Sequence, residues 1–258
     1  FEILNTEKIL FGQTLIATVQ ICVDFLTIHQ PLVFTHVSKQ KKQVELLCDQ
    51  FNIQHKWRYT IAALLSHIGA VLLDSPKLLN ILKKGKVRPD DQIFLNEMLK
   101  VSSTLISPIP KLELITDIIL HHQTALDKLS QNPSLPIQEQ SPFTIGCQLL
   151  YCTSHFNRLL ASGQDIKEII KNMLQQPNVF HVDIVKGLIK LPNKTDSIKA
   201  KVKIGDLTET MIAAMNIYDD NNHLIIVEGQ LLNDVCISKL QHLLREHNIQ
   251  PWIEVFIS

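Results

Sequence analysis

The chain is predicted to be mainly α, a helical bundle followed by a small α+β unit. Three features carry that expectation. Apolar residues recur at three- and four-residue steps through most of residues 10–191, the spacing that lays a continuous apolar face along a helix. Prolines and Asn/Asp-containing clusters punctuate those runs at helix-sized intervals. Beyond Lys194 the period shortens to two, which places alternate side chains on opposite faces of a strand. The expected division is a helical unit over residues 1–193 and an α+β unit over 194–258.

Taken in order, Leu15, Ile16, Val19, Cys22, Phe25 and Leu26 predict a helix from Leu10 to His29, stopped by Pro31. Val37, Val44, Leu46 and Leu47 predict a second from His36 to Phe51, with a turn over Asn52 to His55. A third is expected to run unbroken from Trp57 to Leu73, and a short one from Pro76 to Lys83. After the polar connection Lys84 to Asp91, Gln92 to Ile106 reads as helix, ended by Ser107-Pro108-Ile109-Pro110, where proline bars helical backbone. Lys111 to Gln123 follows, then a proline-rich surface loop over Ser130 to Pro142. Three further helices are expected at Phe143 to Ala161, Asp165 to Leu174 and His181 to Leu191.

In the C-terminal unit Ile198, Ala200, Val202 and Ile204 alternate with polar residues as in a strand. Met211 to Tyr218 and Leu224 to Glu228 flank Asp219-Asp220-Asn221-Asn222, a hairpin pattern. Helical spacing returns over Asn233 to His247, and Trp252 to Ile257 reads as a last strand.

Composition bounds the function. Formal net charge is zero, which gives no general attraction to nucleic acid. The Lys39, Lys41, Lys42 and Lys83, Lys84, Lys86, Arg88 clusters read as solvated helix surface. Five cysteines at unpaired spacings fit reduced, buried thiols and a cytoplasmic location. No apolar run reaches the roughly 18 residues of a membrane span, and no secretory leader pattern is present. Phe1 in place of an initiator methionine is read as the start of a fragment, leaving room for an upstream receiver or sensor domain. Phosphate-cradle and nucleophile-elbow motifs are absent. Asp90-Asp91 and Asp219-Asp220 read as solvated turn carboxylates.

The candidate chemistry lies in Ala62-Ala63-Leu64-Leu65-Ser66-His67-Ile68-Gly69-Ala70 and in the adjacent pair His121-His122. The first run resembles the "A-L-L-H-D-I-G-K" segment of the HD superfamily of metal-dependent phosphohydrolases. The likeness is nearest to the HD-GYP branch of cyclic di-GMP phosphodiesterases and spans roughly His36 to Leu191. The resemblance implies an HD-domain-like helical bundle and a divalent-metal centre. On it, His36 matches the family's early histidine, and His121 and His122 match its later histidine pair. Ser66 and His67 occupy the histidine-aspartate dyad, Met98 the middle histidine and Ser154 the last aspartate. Ala70 replaces the lysine, and Gln123-Thr124-Ala125-Leu126-Asp127 runs on without Gly-Tyr-Pro. Leu224 to Leu232 is similar, more loosely, to a module appended to some bacterial HD-GYP response regulators.

Those exchanges decide the expected chemistry. A two-metal hydrolase holds its ions about 3.5–4 Å apart, a gap that a carboxylate bridges and that the single lone pair of a neutral imidazole does not. His67 therefore removes the bridge. The thioether of Met98 is too soft for Mg or Mn, and Ser66 and Ser154 are weak neutral ligands. No cofactor is expected, except that His36, His67, His121 and His122 together would suit one divalent transition metal such as Zn, Ni or Cu. His155 is expected to be rotated about 100° from Ser154 and structural, and His29, His55, His181, His223, His242 and His247 to be surface or capping residues. The expected function is a catalytically inactive signalling module of the HD-GYP output type, acting through protein or ligand binding, with a homodimer as one partner state. The alternative is a phosphohydrolase with a mononuclear histidine site, and a third reading is a nucleotide receptor that binds without hydrolysis.

Overall fold

The computed structural model describes residues 2–73, 75–84, 86–123, 135–191, 198–246 and 248–257. Helices α1 (Glu2–His29) and α2 (Pro31–Gln50) are separated by Gln30 alone. Pro31 sits in the first turn of α2, where its missing N–H costs no hydrogen bond and its fixed φ suits the helix. It therefore starts the second helix as well as ending the first, and His36 lies inside α2 rather than opening it.

Helix α3 (Lys56–Leu65) ends at Ser66, and a 3₁₀ turn (Ile68–Val71) follows. The unbroken helix expected from Trp57 to Leu73 is thus interrupted at Ser66-His67. Backbone proximity to α5 (Pro89–Ile106) is the physical reason. The Gly69 N–H donates to Ser102 Oγ at 2.9 Å, and a Cβ at position 69 would sit 2.6 Å from the Met98 carbonyl oxygen. A continuing helix would put side chains where that contact allows none.

Helices α4 (Ser75–Leu82) and α6 (Glu113–His121) flank α5 in sequence. Then come α7 (Pro142–Ala161), α8 (Ile166–Leu174) and α9 (Val182–Ile189). Their starts follow side-chain capping: Ser141 Oγ accepts from the Thr144 N–H, and Asp165 from those of Lys167 and Glu168, satisfying donors that an α-helix leaves open. The loop expected over Ser130 to Pro142 lies partly outside the described residues. Its described part contains a 3₁₀ turn (Ile137–Glu139) that buries Ile137.

Helix α2 is the hub, packing against α1, α3, α7 and α9. Val33, Val37, Val44 and Leu47 from α2 join Ala62, Leu65, Leu99, Ile118, Leu149 and Ile184 in one apolar core. A polar seam crosses it between α2 and α7. Gln43 and Asn157 exchange amide hydrogen bonds of 3.0 and 2.6 Å, and Gln40 donates to the Leu150 carbonyl and to Thr153 Oγ1. Both seam partners are buried, so each bond answers an otherwise costly desolvation.

A second apolar cluster is built from Ile204, Ile225, Ile226, Leu232, Leu240, Ile253 and Val255. Its sheet has the order β1 (Ile198–Lys203), β5 (Trp252–Ile257), β2 (Ile212–Ala213), all antiparallel, with Val202 opposite Ile253. In the hairpin expected from Met211 to Glu228, β3 (Ile217–Tyr218) pairs with β4 (Leu224–Ile226), and nearer its open end Ile212 bridges Leu231 while Ile212 and Ala213 also pair with β5. Helix α10 (Asp234–Arg245), capped by Asn233, covers this sheet's core and touches α1. All five cysteines are free thiols, and all but the half-buried Cys22 are buried.

Gln43→Leu strands the buried amide of Asn157, so we expect a loss of about 1–3 kcal/mol in stability. In the Gln43→Leu/Asn157→Leu double variant the loss should shrink, which a denaturant-unfolding cycle measures.

Candidate functional site

A cavity of about 180 Å³ opens among α4, α5, α6 and α7, lined by residues that include His67, Met98, His122, Ser154, His155 and Arg158. The positions matched by resemblance therefore fall into three groups. His67, Met98, His122 and Ser154 line the cavity. Ser66 lies behind His67, fully buried. His36 approaches His67 edge-on, with ring centroids 5.6 Å apart, and its Nε2 is buried without a hydrogen-bond partner. His121 is elsewhere: it is exposed and packs beside the ring of Phe143. Adjacent residues on a helix diverge by about 100°, so only one histidine of the pair can face inward.

Hydrogen bonds set which ring nitrogens carry protons. The Ser66 hydroxyl donates its one hydrogen to the Ala63 carbonyl at 2.8 Å, and His67 Nδ1 lies 2.7 Å from Ser66 Oγ. His67 must then donate from Nδ1, which leaves Nε2 as a lone pair. His122 Nδ1 donates to the Ile119 carbonyl at 2.9 Å, with the same consequence. Burial keeps these rings neutral. It lowers His36 and His122 to about 4, with Lys39 adding to the effect on His36, and it holds His67 well below its ordinary value, helped by His36 and His122.

Helix α7 supplies the opposite character. Arg158 Nη1 donates to the Lys84 carbonyl at 3.2 Å and Nη2 to His155 Nδ1 at 2.9 Å. A guanidinium only donates, so neutral His155 holds its hydrogen on Nε2. Burial, and secondarily Arg158, lowers His155 to about 4. Lys84 also donates to Asp91 at 2.9 Å, and Arg88 Nε to the same oxygen at 3.2 Å. Asp91 is therefore buried and ion-paired at the start of α5, not the solvated turn carboxylate expected. The Lys84 bond, then Arg88, holds its carboxyl down to about 2.

A family model described as HD domain matches residues 20–178, which contain the cavity and its lining helices. The chain belongs to the HD domain family. No curated protein and no solved structure matches it.

An HD domain implies a divalent metal, and the residues of this HD domain do not fit one. Among the described residues, no carboxylate lines the cavity, and no group of three or more His, Cys, Asp or Glu side chains is placed to hold an ion. Three imidazoles, a thioether and two hydroxyls share the space with a guanidinium, and none of them is an anion that would offset a doubly charged cation. The expected convergence of His36, His67, His121 and His122 is not what the fold produces, because His121 points out of the cavity.

On helix α7 sequence reasoning missed three lining residues. His155 faces the cavity together with Ser154, and Arg158 and Tyr151 lie on the same helix. The i, i+3, i+4, i+7 spacing of Tyr151, Ser154, His155 and Arg158 marks one helix face and was the available signal. His181, expected at the surface, is buried and bonded to the Leu135 carbonyl at 3.0 Å. His223 and His242 are exposed, as expected.

Gly69→Ala should destabilise by about 1–3 kcal/mol through overpacking against α5. Gly205→Ala, where an added Cβ meets nothing within 4 Å, should stay within about 0.5 kcal/mol. Chemical denaturation separates the two. His36 and His122 hold values near 4 when folded against 6.5 ordinarily, so the unfolded chain binds protons that the native state refuses. Their contribution is complete above 6.5 and is lost as pH falls through about 4. The denaturation midpoint should drop across that window, and less steeply in His122→Gln.

Proposed function

We propose that this HD domain is a non-hydrolytic signalling module of the HD-GYP output type, acting by binding a protein or ligand rather than by turnover. The observation that carries this reading is the cavity itself: His67, Met98, His122 and Ser154, at positions that the resemblance gives to metal ligands, line a space that also holds Arg158 and, among the described residues, no carboxylate. A two-metal phosphodiesterase needs anionic ligands to clamp its ions. The mononuclear alternative lacks, among the described residues, a group of three or more His, Cys, Asp or Glu side chains placed to hold an ion. Enclosed binding of cyclic di-GMP is also disfavoured, since about 180 Å³ falls below the roughly 300–1,000 Å³ of small-molecule pockets.

In this reading the units are residues 1–193 and 194–258, the chain works in the cytoplasm, and the input comes from a receiver or sensor domain upstream. No described helix is long and apolar enough to cross a membrane. Ile21, Phe25 and Ile28 form an exposed apolar stripe on α1 that suits a second copy as partner.

Protein purified without chelators should contain well under one equivalent of Mn, Fe, Zn, Ni or Cu. It should also release no product from cyclic di-GMP or a generic phosphodiester above the buffer rate. Stoichiometric metal together with turnover abolished in His122→Ala would replace this reading with the phosphohydrolase one.

A further inference from the structure

The C-terminal sheet ends on β1, which pairs with β5 on one side and, among the described residues, with no strand on the other. Two backbone bonds fix which of its residues face that open edge. In an antiparallel pair, opposed residues alternate between exchanging hydrogen bonds and turning their N–H and C=O away from each other. The Ile204 N–H donates to the Pro251 carbonyl at 3.0 Å, which puts Val202 with Ile253 and Ala200 with Val255 in the bonded set. On the β2 side the Glu254 carbonyl accepts from the Ala214 N–H at 2.8 Å, so the pair Lys201 and Glu254 is of the other kind. Lys199, Lys201 and Lys203 therefore aim their backbone donors and acceptors out of the sheet's edge, and all three are exposed.

The same three residues carry charge. Their side chains share one face of the sheet, where Glu254 is the one carboxylate that β1 and β5 supply. Lys199 bonds Glu254 at 2.6 Å, and Lys203 lies 5.1 Å from the centre of the Trp252 ring. Lys201, between them, has neither kind of partner among the described residues. Val202 points the other way, onto the apolar cluster. Lysine on an edge strand often serves to repel other strands, and here it disfavours a second copy, since β1 beside β1 would set lysine against lysine. A strand of opposite charge fits instead. Its side chains repeat on one face every two residues, about 6.8 Å, which matches the lysines one for one and lays the intervening apolar residues beside Ala200 and Val202. A nucleic-acid strand would meet the lysines and leave the outward peptide groups unused.

We propose that β1 is a docking edge for an extended acidic segment of another protein, in which Asp or Glu alternates with apolar residues. The segment adds to the sheet beside β1, its backbone bonding to Lys199, Lys201 and Lys203 while its carboxylates pair with their ammonium groups. This inference concerns the C-terminal unit alone and is independent of what the cavity does.

The probe is a short synthetic peptide that alternates valine and glutamate, titrated into the full chain and followed by the NMR shifts of its amides. We expect saturable binding centred on Lys199, Lys201 and Lys203, weaker by about tenfold or more when lysine replaces glutamate in the peptide. Strand pairing uses only every second amide of the peptide. Two N-methylated forms, one blocked at the valines and one at the glutamates, should therefore differ by about tenfold or more. Lys201→Pro removes an outward N–H and no bond of the sheet, so the folded variant should bind the peptide more weakly by about tenfold or more. If that variant does not fold, the peptide forms on the wild-type chain still decide. No saturable binding, equal affinity for the glutamate and lysine peptides, or equal affinity of the two N-methylated forms overturns the proposal. Wild-type affinity in folded Lys201→Pro does the same. An oligothymidylate that binds this edge more tightly than the glutamate peptide assigns it to nucleic acid, and self-association dissolved by Lys201→Pro assigns it to a second copy; either overturns the proposal. None of these outcomes bears on metal content or turnover, so the non-hydrolytic reading stands or falls separately.

Discussion

The backbone of Gly69 lies against α5 so closely that no side chain fits between them, and the site depends on that approach. It terminates α3 at Ser66, turns the chain through a 3₁₀ segment and anchors the turn with the Gly69 N–H to Ser102 bond. Had the helix continued, His67 would follow the helical phase of Leu64 and Leu65. The break instead sets its ring beside that of His36, on the cavity that Met98 and His122 also line. Packing between the turn and α5 thus decides which side chains face the cavity.

The packing of the scaffold and the chemistry of its cavity have separate physical origins. The scaffold is held by an apolar core around α2 and by the Gln43–Asn157 seam, neither of which involves the cavity's chemistry. Nothing in the packing therefore forces carboxylates to be present at the site. Ser66 acts locally: its hydroxyl closes a bond to Ala63 and fixes the tautomer of His67. Buried imidazoles remain neutral because low-dielectric surroundings penalise the charged form, and Arg158 adds a fixed positive charge.

Much of this was legible in the residue pattern. Helical periodicity located nearly every helix, and the shift to alternation after Lys194 located the strands β1 and β5. The resemblance carried by Ala62 to Ala70 and by His121-His122 led to the family and to four of the cavity's lining positions. The errors share a cause. Trp57 to Leu73 was expected as one helix because nothing local marks the contact of Gly69 with α5. Asp91 was expected to be solvated because its partner Lys84 reaches it only when the connection folds back. Arg158 was passed over, and His155 was expected to be turned away from Ser154's side, because their role depends on which face of α7 looks inward.

Periodicity, proline placement and capping residues are local signals, so the order and type of the elements could be read from residues close together in the chain. Those same signals are silent on which of two neighbouring histidines turns toward a shared space, or on which cation joins it there. Such outcomes are set by contacts between residues far apart in sequence, as between Gly69 and Ser102 or Arg158 and Lys84. Ligand identity at the family's positions was therefore written in the chain, while the sign of the charge in the cavity emerged only when four helices closed around it.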